Sequence, residues 1–443
     1  MESAAFLVLV AALSFLSLVR LTWSLGAVVA MYVLFPAVAS GTVLGPLLSA
    51  FGQIYPATYL AAGVFAVQLV FRPRDVALSI AGKYWTTAAV LFFLVAALVS
   101  TGIAGTSDGL ALIINQAAAP FLFFVLLRMR GMEDPGAARW LSRLFVLLAA
   151  AEAVLSIAIR AGLTSQPFDE DLQVFPWYAA GITRALGTTD HPLVLGAVMV
   201  IAIPLAVTYR RVWCQVALMA LLVAGILATE SRTSLALAAI TIAWLIVRSS
   251  MNLRSRILLI AGTVGAAAVL GVTSLSAGVS ERLTDDGGSS SARVDAWRTG
   301  FGLAGDHFFA GDGTGANTNA AYYAGLGTTF ENPFLMYMVD YGLAATVAYF
   351  AAIVFTAVIV RGARAVPSSL YAAVVAIISA VSFSSIATIN NFGGILWFSV
   401  GLAAVAMGSR PSETSKEAAR GNAWRTGRTG SVSGVADLSR SRA

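Results

Sequence analysis

Cysteine, histidine and charge in general are scarce in this chain, and each scarcity closes off a class of protein. A single cysteine, Cys214, rules out an internal disulfide and reads as inert filler near the start of an apolar run. Two scattered histidines, His191 and His307, make no metal site with that one cysteine by ligand spacing. Charged residues are 11% of the 443, whereas a soluble domain carries about 25%. No basic segment precedes the first apolar run, so a cleavable signal peptide is not expected. No strong internal repeat is visible. The net charge of +6 belongs to loops and tail and does not suggest a nucleic-acid partner.

What is present is apolar length. Hydrophobic residues make up 58% of the chain and the mean hydropathy is +0.82. Continuous apolar runs, many long enough for the ~30 Å hydrocarbon core, recur along nearly the whole chain. They lack the period-two alternation of a membrane β-barrel. The expected fold is an all-α polytopic membrane protein of about 12–13 transmembrane helices over 1–408, with a large late extracytoplasmic loop carrying short helices. The runs cover 4–19, 24–42, 56–71, 84–103, 110–127, 141–161, 191–209, 212–228, 233–247, 257–274, 333–360, 368–386 and 392–408. The first two are the least defined, and they decide which side holds the N-terminus.

Charge orients these spans. Cytoplasmic loops collect Lys and Arg, and the opposite face is depleted of them. Under alternation, 22 of the 28 basic residues fall on one face; only Arg160, Arg184, Arg232, Arg282, Arg293 and Arg298 fall on the other. The basic face is therefore read as cytoplasmic. Two long loops lie outside, 162–190 and 275–332. In the second, 280–291 reads as a flexible connector. Val294, Trp297, Phe301 and Leu303 then suggest a short amphipathic helix against the membrane surface. The tail 409–443, rich in Ser, Gly and Arg, reads as disordered and cytoplasmic.

An arginine on the depleted face is a candidate for a task, and a fixed guanidinium suits phosphate. Arg232 opens a helix after a tight outer turn, where snorkelling or pairing with Glu230 is the plain alternative. Arg293 and Trp297 are four apart, on one helical face. Arg293 can grip phosphate or pair with a loop acid; Trp297 can pack into the interface or stack on a sugar. Asp190 is placed to cap the helix after His191, which is either a proton carrier or a locally bonded helix-start residue. His307 reads as a surface residue. Glu331, before Asn332-Pro333, is a general base or simply an acid well placed at a helix start. Gly311, Gly313 and Gly315 form a turn whose N–H groups can meet an anion, but it has no Gly-Lys pair for a nucleotide. Asp285-Asp286 reads as a solvated turn rather than a magnesium site. Glu152 and Asp340 are acids inside spans, which usually face the protein interior.

Together these elements resemble the bacterial O-antigen ligase and O-antigen polymerase group of membrane glycosyltransferases. The resemblance rests on Ser231-Arg232-Thr233-Ser234, on Arg293 with Trp297, on Gly311, Gly313 and Gly315, and on Asp340 with Gly342. Upstream, Arg184 to Pro192 looks like an Arg-x-x-Gly element. Family ligases usually place a His-Asn pair before the late helix; this chain has Glu331-Asn332.

The resemblance implies a glycan donor on a polyprenyl diphosphate, a glycan or lipid acceptor, and transfer at the outer face of the bacterial cytoplasmic membrane. It implies an inverting reaction with no metal or other cofactor. Arg232 and Arg293 would stabilise the leaving diphosphate, with Arg184 assisting. Glu331 would take the acceptor proton, with His191 as substitute. Trp297, Gly311, Gly313 and Asn332 would shape the donor site. A transporter or flippase of lipid-linked glycans or small solutes is the competing reading; it would favour midplane charges and internal repeats. A non-catalytic envelope scaffold is another.

Overall fold

The computed structural model describes residues 2–41, 54–105, 109–134, 136–175, 178, 184–248, 289–326, 329–358 and 391–408, with a few isolated positions between 256 and 265. The expected span 368–386, most of the span 257–274 and of the connector 280–291, Asp285-Asp286 and the tail lie outside these residues. The described part is helical, with no strand among its residues. The protein is an all-α polytopic membrane protein, as its apolar runs predict.

Helix α1 (Glu2–Leu34) contains a backbone break at Arg20 (φ −136°, ψ 58°). Its first half runs beside α2 (Pro56–Phe71), with Phe6 on Tyr59 and Phe15 on Phe71. Its second half doubles back, so that Ser24 Oγ donates to the Leu13 carbonyl at 2.7 Å. The two early apolar runs are thus two helical halves joined at one arginine. A short helix α3 (Pro73–Ala81), which the apolar runs do not reveal, leads into α4 (Tyr84–Ala104). Next come α5 (Gly109–Glu133), with a π-turn at Ile114–Ala118, and α6 (Gly136–Arg160). Then follow α7 (Pro192–Leu205), α8 (Val212–Ala228) and α9 (Arg232–Arg248). Among the described residues four helices are long and apolar enough on their own to cross a membrane: Ala4–Leu34, Tyr84–Ala104, Gly109–Glu133 and Gly136–Arg160.

The expected late loop carries two helices, α10 (Ser289–Gly302) and α11 (Ala316–Tyr323). The single expected span 333–360 is instead two helices, α12 (Pro333–Tyr341) and α13 (Leu343–Val358). Gly342 separates them at φ 94°, ψ 150°, a region open essentially to glycine alone. The break leaves backbone groups without helical partners, and the loop supplies them. Leu343 and Ala344 N–H donate to the carbonyls of His307 and Phe308 at 2.7 and 3.0 Å; Asp312 and Gly313 N–H donate to those of Val339 and Asp340 at 2.9 Å each. Helix α14 (Phe392–Gly408) lies along α5, with Phe398 stacked on Phe123 and Gly401 facing Leu127.

One end of this bundle gathers basic side chains. Arg130 donates to Thr22 Oγ1 at 2.7 Å and Arg143 to the Thr208 carbonyl at 3.0 Å. Arg72 pairs with Glu133. These are residues that the charge bias assigns to the cytoplasm. At the opposite end, where α6 finishes, Arg160 and Arg184 meet the turn before Arg232.

Candidate functional site

The starts of α7, α9 and α12 carry four of the candidate side chains: His191, Arg232, Glu331 and Asn332. Helix α9 begins at Arg232 because Ser231 caps it: Ser231 Oγ accepts the Ser234 N–H at 3.2 Å and bonds Ser234 Oγ at 2.8 Å. A Ser at this position satisfies a donor that the helix leaves open. The residue before, Glu230, is buried and left-handed (φ 51°). Its carboxylate meets Arg160 Nη2 at 2.8 Å. Arg184 Nε donates to the Thr229 carbonyl at 2.8 Å, and Ala185 N–H to that of Ala228 at 3.1 Å. The turn therefore brings the Arg184 and Arg232 segments together. It also adds Arg160, which the sequence marks only as one of six outer cations.

Helix α7 begins beside this turn, and its cap differs from the expected one. Asp190 does not cap it; its carboxylate accepts Ala37 and Val38 N–H at 2.8 and 2.9 Å. His191 caps instead, its Nδ1 accepting the Leu193 N–H at 3.1 Å. Burial, reinforced by the Arg184 charge, pushes the His191 imidazole down to about 3. The ring is neutral at pH 7, and its basic nitrogen is committed to the cap, which weakens the proton-carrier reading. Glu152 accepts Thr188 N–H and Oγ1–H at 3.0 and 2.5 Å, so this interior acid holds the turn ahead of α7.

Helix α12 begins with the pairing on which the site centres. Asn332 Oδ1 accepts Phe334 and Leu335 N–H at 2.9 and 3.4 Å, capping the helix. Pro333 occupies the first turn, where no N–H is required. Glu331, just before, is left-handed like Glu230 (φ 49°). Its Oε2 accepts from Arg293 Nε at 2.8 Å. Arg293 is 42% exposed and Glu331 28%. Pairing through Nε leaves the guanidinium's two Nη groups without a hydrogen-bond partner among the described residues.

Trp297 does not line an open cleft. It packs, half-buried, against the small core of Phe330, Leu335 and Met336, and Gly300 of the same helix abuts Leu335. This packing fixes α10 on α12 and so brings Arg293 to Glu331. Helix α10 forms where the apolar spacing predicts it, but its buried face runs through Ala296, Trp297 and Gly300; Val294 and Phe301 are exposed.

The glycine turn also has a structural task. The N–H groups of Asp312 and Gly313 are taken by α12. Gly311 and Thr314 N–H point to Ser100 Oγ and Thr101 Oγ1 of α4, each at 3.3 Å. Gly311 lies against the Asp340–Tyr341 backbone, and Gly313 (φ 93°) against Ala104, where a side chain would collide. With its donors engaged, the turn is a dock rather than an anion cradle. Asp340 accepts from Asn317 N–H and Nδ2 at 2.8 and 2.7 Å, fastening α11 to α12.

His307, expected at the surface, is buried between Asp312 (3.0 Å) and the Leu303 carbonyl (2.9 Å). Burial alone would lower its imidazole, but these hydrogen bonds and the charges of Asp312 and Asp306 raise it overall. Among the described residues no three His, Cys, Asp or Glu side chains converge as a group to hold a metal.

Comparison with known proteins bears on the same segment. Residues 217–350 match the family model described as O-antigen ligase. That stretch runs from α8 through the Arg232 turn, Arg293, the glycine turn and α12 into α13. No curated protein matches the chain. Over residues 217–350, the chain is similar to the O-antigen ligase family.

Proposed function

We propose that this protein transfers a glycan from a polyprenyl-diphosphate donor onto an acceptor hydroxyl, at the outer face of the bacterial cytoplasmic membrane, in cell-surface polysaccharide assembly. The observation that carries the reading is the Arg293–Glu331 pair at the mouth of α12. It joins a partly exposed cation suited to diphosphate with a carboxylate suited to a hydroxyl proton.

The acceptor oxygen forms a bond to the anomeric carbon as the bond from that carbon to the diphosphate oxygen breaks. The bonding pair leaves with the diphosphate, and the acceptor proton passes to Glu331. One displacement inverts the anomeric centre. Negative charge growing on the leaving group is stabilised by positioned cations, here the Arg293 Nη groups with Arg232 and Arg184. The Arg293 contact occupies Glu331 Oε2. Donor diphosphate draws the Arg293 fork toward itself and so frees Glu331 to accept the proton. In this way donor binding and acceptor activation are linked through one contact. No bound metal is required by this scheme, and activity is expected to withstand a chelator.

The test is turnover of a polyprenyl-diphosphate oligosaccharide by the full chain in nanodiscs, following released polyprenyl diphosphate and product length. Acceptor-dependent release supports the reading. A ladder of products marks a polymerase and a single transfer a ligase. No release with any donor and acceptor, together with unaltered donor binding in Arg293→Ala, overturns it.

A further inference from the structure

The basic end of the bundle carries a feature that glycan transfer does not use. Between the start of α4 and the end of α13 lies a groove of about 510 Å³, within the roughly 300–1,000 Å³ range of small-ligand sites. Ala89, Ala348, Ala351 and Ala352 give it smooth walls, and Trp85 and Phe355 flank it. Its two threonine hydroxyls, on Thr86 and Thr356, bond each other at 2.7 Å and present little polarity to an occupant. Tyr84 and Trp85 are strongly exposed at its edge, as aromatic side chains are at a lipid–water interface.

Two cations meet at its mouth. Lys83 lines the groove directly. Arg128 reaches past Gly82, its Nη2 lying 2.7 Å from where a Cβ on that glycine would stand. Its Nη1 is anchored on the Ser79 carbonyl at 2.7 Å. Burial and the neighbouring Arg128 both push the Lys83 ammonium down. Neither cation has a carboxylate partner among the described residues. Like charges placed together beside an apolar groove call for an anion with a hydrocarbon tail.

We propose that this groove seats one chain of an anionic phospholipid, with the lipid phosphate on Lys83 and Arg128. The location selects a bilayer phospholipid over the glycan carrier. The groove shares its end of the bundle with Arg72, Arg130 and Arg143, the end the charge bias assigns to the cytoplasm. Basic pockets between membrane helices on that side take anionic head groups. A bound lipid would brace α4 against α13, and α13 continues from α12, on which the late loop is docked. This proposal does not depend on the glycan-transfer reading.

Native mass spectrometry of the delipidated full chain tests it, with phosphatidylglycerol, phosphatidylcholine and polyprenyl monophosphate as separate probes. Phosphatidylglycerol is expected to be retained over phosphatidylcholine by roughly fivefold for each cation engaged. Lys83→Glu should abolish that preference. Ala351→Phe, which fills the groove and keeps both charges, should abolish retention itself. It decides the matter alone if Lys83→Glu lowers the thermal midpoint. Equal retention of the two phospholipids by the native chain overturns the proposal, as does phosphatidylglycerol retention unchanged in both variants. Tighter retention of polyprenyl monophosphate, lost in the same variants, assigns the groove to the carrier and overturns it too.

Discussion

Arg293 reaches Glu331 side-on, through Nε alone at 2.8 Å, across 38 residues of sequence. A side-on grip leaves the forked end of the guanidinium facing away from its partner. Replacing Arg293 by Ala is therefore expected to slow release of polyprenyl diphosphate by about 10²–10³, the worth of one lost electrostatic contact in a transition state. Lysine, a point charge without the fork, should recover only part of this. The thermal midpoint should hardly move, because a pair this exposed adds little to stability. Unchanged turnover in Arg293→Ala would sink the assignment.

Glu331 offers a substitution that separates chemistry from folding. Its left-handed backbone is costly for a residue with a Cβ and free for glycine. Glu331→Gly is expected to keep or raise the thermal midpoint while activity is lost. Glu331→Gln, which retains the side chain's shape, should lower kcat and leave KM nearly unchanged. A variant that keeps full kcat shows that the carboxylate is not the base.

Asp340 should behave in the opposite way. It receives three hydrogen-bond donors, from Gly315 N–H and from the N–H and amide of Asn317. Asp340→Ala removes the acceptor and leaves those donors buried, at about 1–3 kcal/mol for such a group. The expected result is a lowered thermal midpoint together with faster proteolysis of the loop. A midpoint equal to that of the native chain would contradict the fastening role.

The two histidines give pH dependences of opposite sign. His191 sits at about 3 when folded, against about 6.5 unfolded. The unfolded chain then binds the proton first, so stability falls as pH drops below about 6.5. His191→Asn keeps a capping side chain and should lose less stability between pH 7 and 4.5. His307 is raised when folded, so its contribution is complete below the ordinary histidine value and fades as pH rises through the raised one. Thermal midpoints of both variants across pH check the pair; profiles that superimpose on the native one would refute it.

Local pattern told much of this fold. The ends of α2 and α8, the turn before Arg232 and the helix under Trp297 follow from apolar spacing, caps and prolines within a few residues. Arg72 and Arg130, which the charge bias places on one face, share Glu133. What escaped the sequence is long-range pairing. Nothing near Asp190 shows that its carboxylate is already occupied by Ala37 and Val38. Nothing near Gly313 shows that its N–H will be taken by Asp340. The break at Gly342 hides inside an unbroken apolar run, because only the partner strand of loop at 307–313 makes it affordable. Arg160 carried a readable signal, a cation on the depleted face, but its pairing with Glu230 needed the third dimension.

The seam between 307–313 and the α12–α13 break is sewn mainly with backbone groups. Backbone groups are the same in every residue but proline, so the seam asks little of side chains beyond its glycines and His307. Apart from Trp297 and Asn317, which anchor α10 and α11, the outer surfaces of these helices are thus free to diverge in composition without unseating the loop. A frame of this kind can be inherited intact while the faces it holds are rewritten.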